Sequence, residues 1–160
     1  MTWALMAYQE PKSFDNNGIV HMSNGWLKIA NSRNYHHFFP KAYMKRRNKG
    51  EEDWRVNHVA NITIVDDFLN KRKIRDKAPA TYMRGFEKSN PDLPRTMKTH
   101  LIDLDRYGVW DNDFEKFFWK RCQVISRHLK KRVLPQAIDE HGQVVYTDDF
   151  EDPELEQEAS

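Results

Sequence analysis

From Asp111 to Pro135 the chain carries one long amphipathic pattern, and this commits it to a fold in which helices dominate. Phe114, Phe117, Phe118, Ile125 and Leu129 fall near one face of a helix, while Lys116, Lys120, Arg127 and Lys131 lie off it. The segment reads as a packing helix with a basic exterior, capped by Asp111 and closed by Pro135. At 160 residues there is room for one domain with a modest core.

Strand signal is brief by comparison. Ala60-Asn61-Ile62-Thr63-Ile64-Val65 is short and β-branched, the mark of a strand. Asp66 or Asp67 is placed to cap a following helix that ends before Pro79. Ala80 to Glu87 and Pro94 to Asp103 read as further short helices, and Lys41 to Asn48 as a basic helix stopped by Gly50. Met1 to Tyr8 reads as the apolar end of a helix belonging to something larger, with a turn at Phe14 to Gly18.

Charge is unevenly distributed. The net charge is only +2, but residues 148 to 160 hold seven acids and no Lys or Arg, so the remainder has 26 basic against 17 acidic side chains, or +9. Such a body suits a polyanion, and the acidic tail is a candidate DNA mimic that shields it. The blander reading of the same charge is solvated helix faces. Cys122 is the single cysteine, which excludes an internal disulfide and a paired-cysteine zinc site. With no apolar run near membrane-spanning length and no secretory signal pattern, the expected compartment is the cytoplasm and no membrane partner is expected.

The candidate chemistry lies in His36-His37, followed by Phe38-Phe39-Pro40, and in Asn61 and Asn70, nine positions apart. One imidazole to take a proton from water, a second to bind a divalent cation and a carboxamide to complete the metal site are what phosphodiester hydrolysis needs. A bare His-His pair is weak by itself, as are two asparagines, and Asn57 fits a turn cap equally well. The conjunction, in this order, is the signal. His58 is the one further histidine close in sequence; His21, His100, His128 and His141 are expected to be structural or solvent-facing, and Trp26, Trp54, Trp110 and Trp119 to anchor the core.

A strand, a loop carrying His-His, a second strand and a capped helix carrying Asn70 resemble the HNH, or ββα-metal, nuclease family. The longer text Asn34-Tyr-His-His-Phe-Phe-Pro-Lys-Ala-Tyr, Val56-Asn-His-Val-Ala-Asn-Ile-Thr-Ile-Val and Asn70 through Pro79-Ala-Thr-Tyr82 is similar to the carboxy-terminal nuclease region of GmrSD-type modification-dependent restriction proteins. The resemblance implies an α+β, mostly helical fold. Its parts are an amino-terminal helical and turn segment at 1–30, an HNH core at 31–85, flanking helices at 86–135 and a flexible acidic tail at 136–160. It makes His37 the general base, His36 and Asn70 the metal ligands, and Asn61 the brace of the histidine loop.

The resemblance also implies a metal-dependent DNA endonuclease of a restriction or antiphage system. Magnesium is the expected cation, with manganese or nickel favoured somewhat by the imidazole. On a regular helix Asn70, Lys73 and Lys77 share a face, so Lys71, Arg72, Lys73, Arg75 and Lys77, with Lys41, are the expected DNA contacts. The ParB-like nucleotide-binding partner of those proteins has no counterpart motif here, which points to a separate subunit or domain. The alternative is a catalytically silent nucleic-acid-binding or interaction fragment of a split nuclease.

Overall fold

The computed structural model describes residues 8–20, 35–48, 53–65, 68–133, 137–138 and 144–145. The expected amino-terminal helix, the Asp66/Asp67 cap, His21, Trp26, His141 and the acidic run 148–160 lie outside them, apart from Tyr8. Residues 1–129 form one compact unit and residues 130–160 another.

The first unit is mixed α/β and mostly helical, with one two-stranded antiparallel sheet. Strand β1 (Tyr35–His37) pairs with β2 (Ile62–Ile64) in the register Tyr35 to Ile64, His36 to Thr63 and His37 to Ile62. Helices follow: α1 (Lys41–Arg47) between the strands, a π-helix (Leu69–Ile74) directly after β2, then α2 (Pro79–Ser89), α3 (Leu93–Lys98) and α4 (Phe114–Val133). Two short 3-10 turns, Trp54–Asn57 and Val59–Asn61, lead into β2. The second unit contains a ladder of β3 (Ala137–Ile138) and β4 (Val144–Val145), at the start of the segment expected to be a flexible tail. No helix among the described residues is long and apolar enough to cross a membrane.

The pattern of α4 does what its spacing requires. Phe114, Phe117, Phe118 and Ile125 are buried, and Leu129 packs on the core. The cap is Asp113, not Asp111: its carboxylate accepts the Lys116 N–H at 3.0 Å, two residues later than expected. Asp111 is exposed, and Asn112 beside it takes a left-handed φ of 54° that breaks helical continuity. Arg121 joins the apolar face one turn beyond Phe117 and is fully buried. Its guanidinium donates to Ala60 O at 2.9 Å and His100 O at 3.1 Å, and burial lowers its pKa to about 9, so it remains charged at neutral pH.

Helix α4 is also the floor for the segment after β1. Phe38 stacks on Phe117 with centroids 4.6 Å apart and planes 8° from parallel, and Phe39 lies 5.2 Å from Phe114 and 5.0 Å from Phe117. Both rings are fully buried, which at roughly 25 cal/mol per Å² makes them main anchors of this segment. Two tryptophans depart from the expected core role. Trp54 is 68% and Trp119 51% exposed.

Candidate active site

The histidine pair lies on β1 itself, not in a loop as expected. Alternation along a strand then sends the two side chains to opposite faces. His36 turns inward and is 3% exposed; His37 faces outward and is half-buried. The chain makes the turn immediately afterwards, through Phe38, Phe39 and Pro40, where α1 begins.

His36 meets Asn70. Its Nδ1 lies 3.0 Å from Asn70 Oδ1, a contact that joins β1 to the π-helix across 34 positions of sequence. With the amide oxygen accepting, Nδ1 carries the proton and donates. Nε2 is buried and has no hydrogen-bond partner among the described residues. Burial is the main cause of a pKa near 3 for this imidazole, outweighing the Asn70 hydrogen bond, and the charge of His37 lowers it further. His36 is therefore neutral at pH 7, with a lone pair available.

Asn70 sits in the wide turn of the π-helix, whose Arg75 N–H closes on Asn70 O at 2.9 Å. That geometry overturns the expected face. The helix stops at Ile74, Arg75 takes a φ of 55°, and Lys77 lies beyond the end, so Asn70, Lys73 and Lys77 do not follow the regular i, i+3, i+7 spacing. Lys73 pairs with Asp15 at 3.0 Å and Lys77 donates to Lys73 O at 3.0 Å. Lys41, Arg72 and Arg75 are exposed and form no ion pair among the described residues; Lys71 is exposed as well.

His37 meets a different amide. Its Nε2 lies 3.3 Å from Asn57 Oδ1, on the 3-10 turn before β2. Desolvation and the nearby Lys41 ammonium both lower its pKa, against the Asn57 hydrogen bond, so it too is neutral at pH 7 and able to accept a proton.

Asn61 forms no hydrogen bond with either imidazole. It is fully buried; its Oδ1 accepts the Phe39 N–H at 2.8 Å, and its Nδ2 donates to Phe39 O at 3.1 Å and Val56 O at 2.9 Å. The Phe38 N–H also donates to Asn61 O at 2.8 Å. The turn after the histidines is thus clamped to the start of β2 by one side chain and its backbone. Tyr82 adds a hydroxyl donated to Phe38 O and a ring standing at 76° to His36.

Three contributors were given no part in the site from sequence: Asn57, read only as a turn cap, Tyr82 and Arg121. Asn57 carried a weak signal, being one of two amides within five residues ahead of the strand. The roles of Tyr82 and Arg121 depend on long-range packing and left none. His58 caps the second 3-10 turn by accepting the Ala60 N–H, and buried His100 bonds Lys12 O at 2.8 Å, both structural uses.

No cluster of three His, Cys, Asp or Glu side chains suited to a metal ion occurs among the described residues. The chain matches no protein-family model, no curated protein and no solved structure.

Proposed function

We propose that this chain is a metal-dependent DNA endonuclease of the HNH kind, serving a restriction or antiphage system. The observation that carries the reading is the pairing of His36 with Asn70 in a strand, strand, helix order, with His37 beside it on the outer face.

The donor set suits a hard, hydrated cation. His36 is neutral and half-buried Asn70 lies against its Nδ1, so the two would ligate one ion only with the Nδ1 proton moved to Nε2 and their hydrogen bond replaced by the metal contacts. Two protein ligands are few, but magnesium commonly keeps several waters. His36 and Asn70 would hold the ion, which when bound stabilises charge on the phosphate and the leaving oxygen. His37, neutral and half-exposed, takes a proton from the attacking water through Nδ1, because Nε2 donates to Asn57 Oδ1. Asn57 orients that ring, and Asn61 keeps the turn behind it in place. Lys41, Arg72 and Arg75 supply phosphate contacts, and Lys71 is a further candidate. A nucleotide-binding subunit remains a candidate partner.

A second reading is a nucleic-acid-binding domain without catalysis, favoured by the deep burial of His36. The two separate on one experiment. Magnesium or manganese titrated into the protein raises its melting temperature by linkage if the His36–Asn70 pair binds the ion, and the same ions support plasmid nicking. Salt-sensitive DNA binding with neither thermal shift nor nicking selects the silent reading.

A further inference from the structure

Trp54 is the most exposed aromatic ring near the candidate site, and its position explains what an exposed indole can do there. It opens the 3-10 turn that Asn57 closes. In such a turn residues three apart eclipse one another about 6 Å apart along the axis, so the indole stands on the same side as the carboxamide that contacts His37. The ring is nearly perpendicular to His58 (86°) and Phe118 (88°), each centroid 5.8 Å away. With 68% of the residue exposed, at least one face of the indole is open to solvent.

Its surroundings hold it in place. Arg55, next in sequence, is occupied by Asp53 and Glu115, and Glu115 also accepts the Trp119 indole N–H at 2.7 Å. Trp119 in turn contacts Phe118 at 5.1 Å. The two exposed indoles therefore flank one buried ring, beside an Arg55 already paired, while the ammonium of Lys41, which forms no ion pair among the described residues, stands near His37. An open π-face beside a site for phosphate chemistry is the arrangement that stacks a nucleobase.

We propose that Trp54 is a stacking platform for an unpaired base next to the scissile phosphate, so that the preferred substrate is single-stranded or locally unpaired nucleic acid. This deepens the endonuclease reading and rests on it for the position of the phosphate. An unpaired base has a free face to offer; a base within an intact duplex does not.

The test measures binding of fluorescent oligodeoxythymidylate and of a matched duplex, without metal, to the full chain and to Trp54→Ala and Trp54→Phe. The platform predicts an affinity loss of about tenfold or more for the single strand in Trp54→Ala, with most of it retained in Trp54→Phe. Duplex affinity changes by less than about twofold in both, because phosphate contacts dominate there. Equal single-strand affinity in wild type and Trp54→Ala overturns the proposal. So does an unchanged affinity accompanied by loss of self-association, which would assign the indole to a protein interface. Stacking through Trp54 without nicking in any divalent metal keeps the platform and removes the endonuclease reading.

Discussion

His36 and His37 are chain neighbours with the same side chain, yet the inner and outer faces of β1 give them different work. On the inner face His36 is packed against Tyr82 and bonded to Asn70 through Nδ1, while its Nε2 is buried without a partner among the described residues. On the outer face His37 is half-open, shares one longer hydrogen bond with Asn57 and lies near a lysine charge. The inner face can fix geometry because its groups cannot move without losing partners. The outer face can exchange protons because its group can. One residue of register separates these two environments, so a slip of β1 against β2 would interchange them.

The widest separation between the faces is expected on catalysis. His37→Ala removes the proposed base and should lower metal-dependent plasmid nicking by about 10² to 10⁴, with a melting temperature close to wild type because the side chain is half-exposed. Undiminished nicking would show that the outer face does not carry the chemistry.

The inner face should break through stability. Asn61→Ala leaves the Phe39 N–H and two carbonyls without their buried partner, a loss of about 3 to 5 kcal/mol in urea unfolding. A loss within about 1 kcal/mol would mean that water or relaxation replaces the clamp.

Acid sharpens the same distinction at a second buried imidazole. His100 has its pKa lowered to about 4 by burial and by Arg121, against the Lys12 carbonyl bond. At pH above 6.5 it is neutral both folded and unfolded; as pH falls from 6.5 towards 4 the unfolded chain takes up a proton that the native state refuses, and stability is lost. His100→Gln should reduce the stability lost across that window by about 3 kcal/mol relative to wild type, at about 1.4 kcal/mol per pH unit. Parallel urea midpoints for both proteins would exclude this account.

The smallest effect is expected from the amide on the outer face. Asn57→Ala frees the His37 ring and should lower nicking about tenfold while changing unfolding free energy by less than about 0.5 kcal/mol, since Asn57 is exposed. An equal loss in stability would move Asn57 to the framework.

Much of the helical architecture was legible because periodicity is a local property. The phenylalanine face of α4, the short helix α2, the start of α3 and the β-branched strand β2 follow from side-chain spacing and from Pro79 and Pro94 at helix starts, whereas α3 ends at Lys98 and not at Asp103, with Leu101 at a left-handed φ of 57°. Boundaries slipped where a neighbour overrode local preference. Asn112 gives its amide oxygen to the Ala80 N–H and its carbonyl to Arg47, which moves the cap to Asp113 and the start of α4 to Phe114. The candidate site was readable as a set of residue types in order, but not as contacts.

The sequence by itself determined which groups were available: two adjacent imidazoles, amides at Asn57, Asn61 and Asn70, and a basic body with the aromatic content to pack a core. Only the tertiary structure decided which imidazole faces inward, that Asn70 lies in a π-turn and not on a regular helix, that Asn57 is the partner of His37, and that Trp54 stays open to solvent. Composition and periodicity act over a few residues, whereas strand register, the turn of a distant helix and the burial of Arg121 depend on surfaces brought together from across the chain.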